Sequence, residues 1–461
     1  MTKAYLPDPP NPQAERLDRL TKAMQRTGQW SAKQAAGRRW AIGCVSLEIT
    51  QRCNLDCTLC YLSDSSEAVQ DLPLEELLRR IDEIAERYGP NTDVQISGGD
   101  PTLRDRAELS EIVRYVKAKG LRASLLTNGI LLNRRWLTEL ARDGLNDVAF
   151  HVDMTQERKG FTTEAGLNKV RNSYIEMARG LPLSVMFNTT VFADNFHELP
   201  ALAKFFVEHS DVVRFASFQL GADTGRGTLQ GRQAGKADPG TRDETVEVNQ
   251  ASVCAAISKG AGVDLNFDAL QGGHSQCNKY AMLFSIGAKR FDALADGAFA
   301  ARVMRDTASV PLGRDQGLAG ALAILGAVLL RPALLTGSLR YVFKLLWGSR
   351  GEWRRGHLEL RKISFFTHNF MDACALDSQR VDACVFMAAS ANGLMSMCTY
   401  NAERDRHLLK PIQLKSGKIF QPLAVAPNAQ GDVIIPLKWL KGRPRQDALA
   451  ARDHSRTRAS A

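Results

Sequence analysis

Residues 45–60 read Val45-Ser46-Leu47-Glu48-Ile49-Thr50-Gln51-Arg52-Cys53-Asn54-Leu55-Asp56-Cys57-Thr58-Leu59-Cys60. The first five residues alternate apolar with polar and predict a strand over 45–49; the cysteines then fall in the loop that follows it. Three thiolates within eight residues can converge on one centre. A closed structural zinc site takes four ligands, so zinc here needs a remote fourth residue. A [4Fe–4S] cluster also normally takes four cysteines, and three would leave one iron open to a substrate.

Outward from this loop the pattern alternates regularly. Leu74, Leu77, Leu78, Ile81, Ile84, Ala85 and Tyr88 recur at helical spacing and stop at Gly89-Pro90. Strands are expected at 93–97, 122–127, 147–152, 183–191 and 212–220. Helices are expected near 109–119, 133–143, 166–179 and 195–209. Strand–helix units of about 30 residues imply parallel strands with right-handed crossovers, and six of them make a partial (β/α)6 barrel. Functional loops then belong at the C-terminal ends of the strands. The second of these loops is Gly98-Gly99-Asp100-Pro101-Thr102, where paired glycines permit close backbone approach to a ligand and Asp100 offers an acceptor. Thr127 and Asn128, His151 and Asp153, and Asn188 and Thr190 end later strands and point to the same mouth. Local capping is the competing reading for each.

The 461 residues leave room for two to three domains, and 44% hydrophobic with 24% charged residues excludes global disorder or a coiled-coil rod. Net charge is +10, of which residues 1–45 carry +5 and residues 437–461 another +5. The neutral stretch between them argues against a nucleic-acid face. The polar, proline-rich start predicts no signal peptide, and nine cysteines without one favour metal or redox chemistry in a reducing, cytoplasmic compartment. The expected organisation is a basic lead-in (1–44), the partial barrel (45–265), a less regular module (266–425) and a basic tail (426–461). A short helix is expected over 16–25, and 222–243 reads as a mobile linker.

The pairing of Cys53-x3-Cys57-x2-Cys60 after the first strand with Gly98-Gly99-Asp100 after the second resembles the radical S-adenosylmethionine (SAM) superfamily over roughly 45–220. The resemblance implies that Cys53, Cys57 and Cys60 ligate a [4Fe–4S] cluster whose open iron chelates the amino and carboxylate groups of SAM. Gly98, Gly99 and Asp100, with Pro101 and Thr102 beside them, would receive the amino group. Asn128 and Asn188 are further cofactor-binding candidates. The cluster would inject an electron into the sulfonium and release a 5′-deoxyadenosyl radical, which abstracts hydrogen from an unactivated C–H. Leu59 stands where the family often has an aromatic residue, which keeps an apolar contact but loses a stacking one.

The later cysteines suggest an auxiliary cluster. Cys384 and Cys398 frame the turn Ser390-Ala391-Asn392-Gly393, which resembles the opening of the SPASM-type auxiliary-cluster domains, although the later Cys-x2-Cys elements are absent. His368-Asn369-Phe370-Met371-Asp372 and Met397-Cys398-Thr399-Tyr400-Asn401 are similar to the C-terminal region of radical SAM proteins related to tetraether lipid synthase and to the presumed methanopterin C-methylating enzyme. The expected ligands are Cys277, Cys374, Cys384 and Cys398, with Cys254 or a non-cysteine residue as the alternative to Cys374. Residues 318–353 join an apolar run to a helix with Arg340 and Lys344 on one side and Leu339, Phe343 and Trp347 on the other. That is the pattern of an interfacial helix, or of a hairpin packed on the barrel. These features point to C–C bond formation or methylation on a lipid or isoprenoid, at the inner membrane face. A pterin-like small molecule, a peptide substrate and a non-catalytic scaffold are the alternatives. Reduced ferredoxin or flavodoxin is the electron donor implied.

Overall fold

The computed structural model describes residue 22 and residues 42–63, 66–222, 248–270, 272–307, 310 and 317–423. The basic tail, nearly all of the basic lead-in and of the linker, and all of the expected helix over 16–25 except Lys22 lie outside the described residues. Strands β1 (Cys44–Thr50), β2 (Asp93–Gly98), β3 (Arg122–Thr127), β4 (Leu145–His151), β5 (Ser184–Val191) and β6 (Val213–Leu220) lie in sequence order and pair in parallel. Between them run α1 (Leu74–Tyr88), α2 (Arg106–Ala118), α3 (Arg134–Asp143), α4 (Glu164–Ala178) and α5 (Leu199–Glu208), and α6 (Gln250–Ala261) and α7 (Gly297–Asp306) follow later in the chain. The helix expected over 195–209 is split into Ala193–Phe196 and α5, because Pro200 sits in the first turn of α5 and brings no N–H to continue the earlier helix.

The boundary expected near 265 does not divide the sheet. β7 (Asn278–Ile286), β8 (Lys289–Asp292), β9 (Leu360–Asn369), β10 (Phe386–Ser390) and β11 (Gly393–Ser396) all join it, giving the order β11-β10-β1-β2-β3-β4-β5-β6-β9-β7-β8. β9 pairs in parallel with β6 and β10 in parallel with β1, so the parallel run is two strands longer than six. Hairpins finish both edges: β11 folds back on β10 through Ala391-Asn392, with Gly393 at φ +92° after the turn, and β7–β8 lies antiparallel against β9. No backbone ladder joins β9 to β10 among the described residues. Rings meet across the gap instead: Phe386 stands edge-on to His368 with centroids 4.2 Å apart and lies 6.1 Å from Phe366. The sheet is therefore curled, with a side-chain seam between its two outer parallel strands.

Alternation along each strand sorts the two faces. Val45, Leu47 and Ile49, Val94 and Ile96, Phe150, Phe187, Phe218 and Phe365 are fully buried with the helices in one apolar core. The opposite face carries Ser46, Gln95, Ser97, Ser124, Ser217 and Ser364. Barrel interiors are usually filled by branched aliphatic side chains; small polar ones leave this interior open.

Candidate functional site

The cysteine loop hangs from the ends of four strands. Gly99 and Asp100 donate their N–H groups to the carbonyls of Thr50 (2.9 Å) and Arg52 (2.8 Å), at the stem of the loop. A side chain on Gly98 would overlap the Thr50 carbonyl, and one on Gly99 the Arg52 carbonyl; Gly98 also has φ +124°. The glycine pair thus lets the second strand-end loop lie directly on the first. The Tyr61 hydroxyl donates to Gly98 O (3.0 Å), and Arg52 pairs with Asp71 while donating to Leu103 O. Asn128 Nδ2 donates to Asn54 Oδ1 (2.6 Å), inside the loop itself.

Asp100 is fully buried, and its carboxylate is already engaged. It accepts from Thr102 N and Oγ1, capping the short 3-10 turn Pro101–Leu103, and from Thr127 Oγ1 and Asn128 N on the neighbouring strand end. A second knot sits at the end of β4. Asp153 accepts from Thr190 N (2.7 Å) and Thr155 Oγ1 (2.5 Å) and pairs with His151 Nε2 (2.6 Å). Thr155 O in turn accepts from Thr58 N, between the second and third cysteines. Burial opposes charge on both members of the pair. The neighbouring opposite charge outweighs it, holding Asp153 well below the usual carboxylate range and His151 above the ordinary imidazole value.

The inner face of the sheet encloses a chamber of about 930 Å³. Cys53, Cys57 and Cys60 line it at one end, with Gly98, Gly99, Asn128, His151 and Asn188. At the N-terminal ends of the strands Arg122 bridges Asp93 (3.1 Å) and Asp147 (3.2 Å). Serines line the wall between, Ser46 and Ser97 sharing a hydrogen bond of 2.7 Å. Ser217 Oγ is buried there without a hydrogen-bond partner. The seam supplies an apolar side: Phe366, His368, Phe370, Met371 and Phe386.

Residues 47–206 match the family model for the radical SAM superfamily. The chain carries a radical SAM domain. It is 30% identical over 189 residues to the 7,8-dihydro-6-hydroxymethylpterin dimethyltransferase of Methanocaldococcus jannaschii, covering 40% of this chain and 37% of that one. It is 29% identical over 191 residues to the Fe-coproporphyrin III synthase of Methanosarcina barkeri, covering 40% and 45%. The match spans less than half the length of either relative. SuiB of Streptococcus suis, solved with its precursor peptide SuiA, aligns with 49% of this chain and 48% of its own at 14% identity and a TM-score of 0.32.

The radical SAM superfamily works with a [4Fe–4S] cluster and SAM, and the loop fits that donor set. Cys53, Cys57 and Cys60 lie within electrostatic reach of one another, and burial pushes Cys53 up to about 12 and Cys57 well above the ordinary thiol value. Thiolates there need a cationic centre to compensate the lost water. Among the described residues no three His, Cys, Asp or Glu side chains are set to grip a single ion. A cubane asks for a different arrangement, because each thiolate takes a separate iron.

The second cysteine group is smaller than expected. Cys277, just before β7, Cys384, just before β10, and Cys398, just after β11, lie within electrostatic reach of one another beside the seam. Arg380 Nε donates to Cys277 Sγ (3.2 Å) and Cys384 Sγ to Phe386 O (2.9 Å). Burial raises all three thiols, Cys398 to about 11. Cys374 is exposed in the turn that follows Asp372, and Cys254 lies on the helix Gln250–Ala261, its sulfur 4.0 Å from Thr367 Oγ1. The structure gathers three of the four named thiols and adds Arg380.

One functional group has no signal in the motifs. Glu48, on the inner face of β1, is buried beneath the cysteine loop. Arg404 donates to both its oxygens (2.5 and 2.6 Å), Tyr400 OH to one (3.0 Å) and Gln51 Nε2 to the same one (2.8 Å). The Arg404 guanidinium is also sandwiched between the rings of Tyr61 and Tyr400, 4.7 Å from each centroid. The Cys-x-Tyr-Asn element is thereby joined to the base of the radical SAM loop.

Proposed function

We propose that this radical SAM enzyme forms a C–C bond on, or methylates, a planar, polar, pterin-like small molecule held inside the barrel. The observation that carries the reading is the chamber: hydrogen-bonding serines and an Asp–Arg–Asp triad on one side, aromatic rings on the other, opening directly onto the three-cysteine loop. A flat heterocycle places its edges against the first and its face against the second. An isoprenoid chain would bring methylenes against Asp93, Arg122 and Asp147 instead, which ranks the lipid substrate second.

In this reading Cys53, Cys57 and Cys60 hold the cluster. When bound, the cluster supplies the electron that cleaves SAM to methionine and the 5′-deoxyadenosyl radical, which takes hydrogen from an unactivated C–H. The chain's own residues hold the geometry. Gly98 and Gly99 seat the loop at backbone distance, and Asp100, Pro101, Thr102 and Asn128, tied together by the Asp100 carboxylate, would hold the amino-acid end of SAM. Asn188 and Thr190, which line the chamber, would hold its ribose. Cys277, Cys384 and Cys398 with Arg380 are assigned to one auxiliary cluster at the seam. The electron donor is reduced ferredoxin or flavodoxin, and the compartment the cytoplasm.

The test is turnover. Anaerobically reconstituted protein with SAM and dithionite should release 5′-deoxyadenosine, and the Cys53→Ala/Cys57→Ala/Cys60→Ala variant should release none. Adding a hydroxymethyl-dihydropterin should accelerate release, whereas polyprenyl lipid should not. Activity that survives in the triple variant overturns the cluster assignment; acceleration by lipid alone overturns the substrate class.

A further inference from the structure

The face formed by α8 (Gly317–Leu329) and α9 (Pro332–Arg354) points the wrong way for a packed hairpin. α9 sits on the protein through Leu334 and several small and polar residues. A side chain on Gly337 would run into Phe299, and one on Gly348 would come within 2.7 Å of Phe291. Leu334, Ser349 and Glu352 are buried on this inner side. Glu352 accepts from Ala288 N (3.3 Å), pinning α9 to the turn between β7 and β8.

The outer side is apolar. Leu339, Val342, Phe343, Leu346 and Trp347 recur at helical spacing and are 43–64% exposed. Leu322, Leu325 and Leu329 continue the stripe on α8 at 51–57%. Phe343 stacks on Trp347, and the Arg350 guanidinium lies 4.5 Å from the Trp347 ring centroid. Residues 317–358 contain six Lys/Arg and one acidic residue, and that residue is the buried Glu352.

We propose that α8 and α9 form a docking surface for an anionic lipid bilayer, on which the enzyme lies peripherally. Charge selects the occupant. A second copy of the same face would set these cations against their own kind, while an anionic leaflet complements them. The apolar stripe runs along two helices, and a ring–guanidinium pair marks its edge, where an interfacial side chain keeps its charge in water. No single described helix is long and apolar enough to span, and Leu322–Leu329 meets Pro332–Arg354 at 117°. The contact uses neither the cysteines nor the chamber, so it stands apart from the proposed chemistry.

The experiment uses the full chain with vesicles of pure phosphatidylcholine and of phosphatidylcholine with 30% phosphatidylglycerol (roughly the anionic content that gives a leaflet its surface potential). Co-sedimentation should favour the anionic vesicles about tenfold or more and weaken as salt rises. Arg340→Gln/Lys344→Gln should lower vesicle affinity about fivefold per charge. Phe343→Ser/Trp347→Ser should abolish it and leave solubility and deoxyadenosine release unchanged. Brominated lipid should quench tryptophan emission in the wild type and less in Trp347→Phe. Equal partition to both vesicle types, or unaltered binding by Phe343→Ser/Trp347→Ser, overturns the proposal. So does a concentration-dependent dimer that the same substitution dissolves without any lipid.

Discussion

Removing Arg404 should loosen the radical SAM loop although Arg404 lies 344 positions from its last cysteine. Glu48 and Arg404 are 5% and 2% exposed, so Arg404→Ala strands a carboxylate in the interior with only Tyr400 and Gln51 as donors. Removing one partner of a buried ion pair costs about 3–5 kcal/mol, mostly the uncompensated charge left behind. That is a large part of the roughly 5–15 kcal/mol that holds a domain folded. Urea unfolding followed by circular dichroism should show the loss, and reconstituted iron should fall with it. Glu48→Gln/Arg404→Met removes both charges and should recover most of the stability, giving a coupling of at least about 2 kcal/mol. The pH dependence has a defined sign. Burial would raise the Glu48 carboxyl, but Arg404 outweighs it and holds the group below its ordinary value. Its contribution is therefore full above the unfolded pKa of about 4.3 and is lost as pH falls through the lower folded value. A cost under about 1 kcal/mol for Arg404→Ala, or simple additivity in the double variant, would refute the brace.

Gly99→Ala should lower cluster occupancy on reconstitution with far-UV circular dichroism unchanged, because the added carbon meets the Arg52 carbonyl and shifts the stem of the loop at a cost of about 1–3 kcal/mol; full iron content in this variant would contradict the loop-on-loop contact. Cys384→Ser should reduce iron and sulfide beyond the first four per chain, whereas Cys374→Ser, altering an exposed turn, should not. Equal losses from the two would show that the seam is not the second cluster's place.

The barrel was legible because its local signals agree with its global order. Tyr88 followed by Gly89-Pro90 ends α1 where the periodicity stops, and Asn133 caps α3 as an N-cap asparagine should. The six strands were found for the same reason: apolar alternation repeats at a fixed interval. β9 and β10 were missed because they arrive after irregular chain and are recognised as strands only by the edges of β1 and β6 that they cover. The three-cysteine loop could be read from spacing alone. What fixes it could not: Asn54 with Asn128, Thr58 with Thr155 and Glu48 with Arg404 are contacts between distant segments. Ser46, Ser97, Ser124, Ser217 and Ser364 occupy the inward alternate positions of five strands, a polar phase that announces an open interior.

The seam between β9 and β10 gives the barrel a line of least resistance. Elsewhere, widening the barrel means breaking a ladder of N–H···O=C bonds between neighbouring strands. Along this line it means parting Phe386 from His368 and Phe366, contacts each worth about 0.5–1.5 kcal/mol. Its two lips are not equivalent: one is the end of β9, which is laddered to the β7–β8 hairpin that α9 packs against, and the other begins beside Cys384. A guest too bulky for the chamber would part these lips first. The fit across the open seam is therefore a matter of side chains, so that replacing Phe386 by a smaller residue changes the bore of the barrel without touching a single backbone pair.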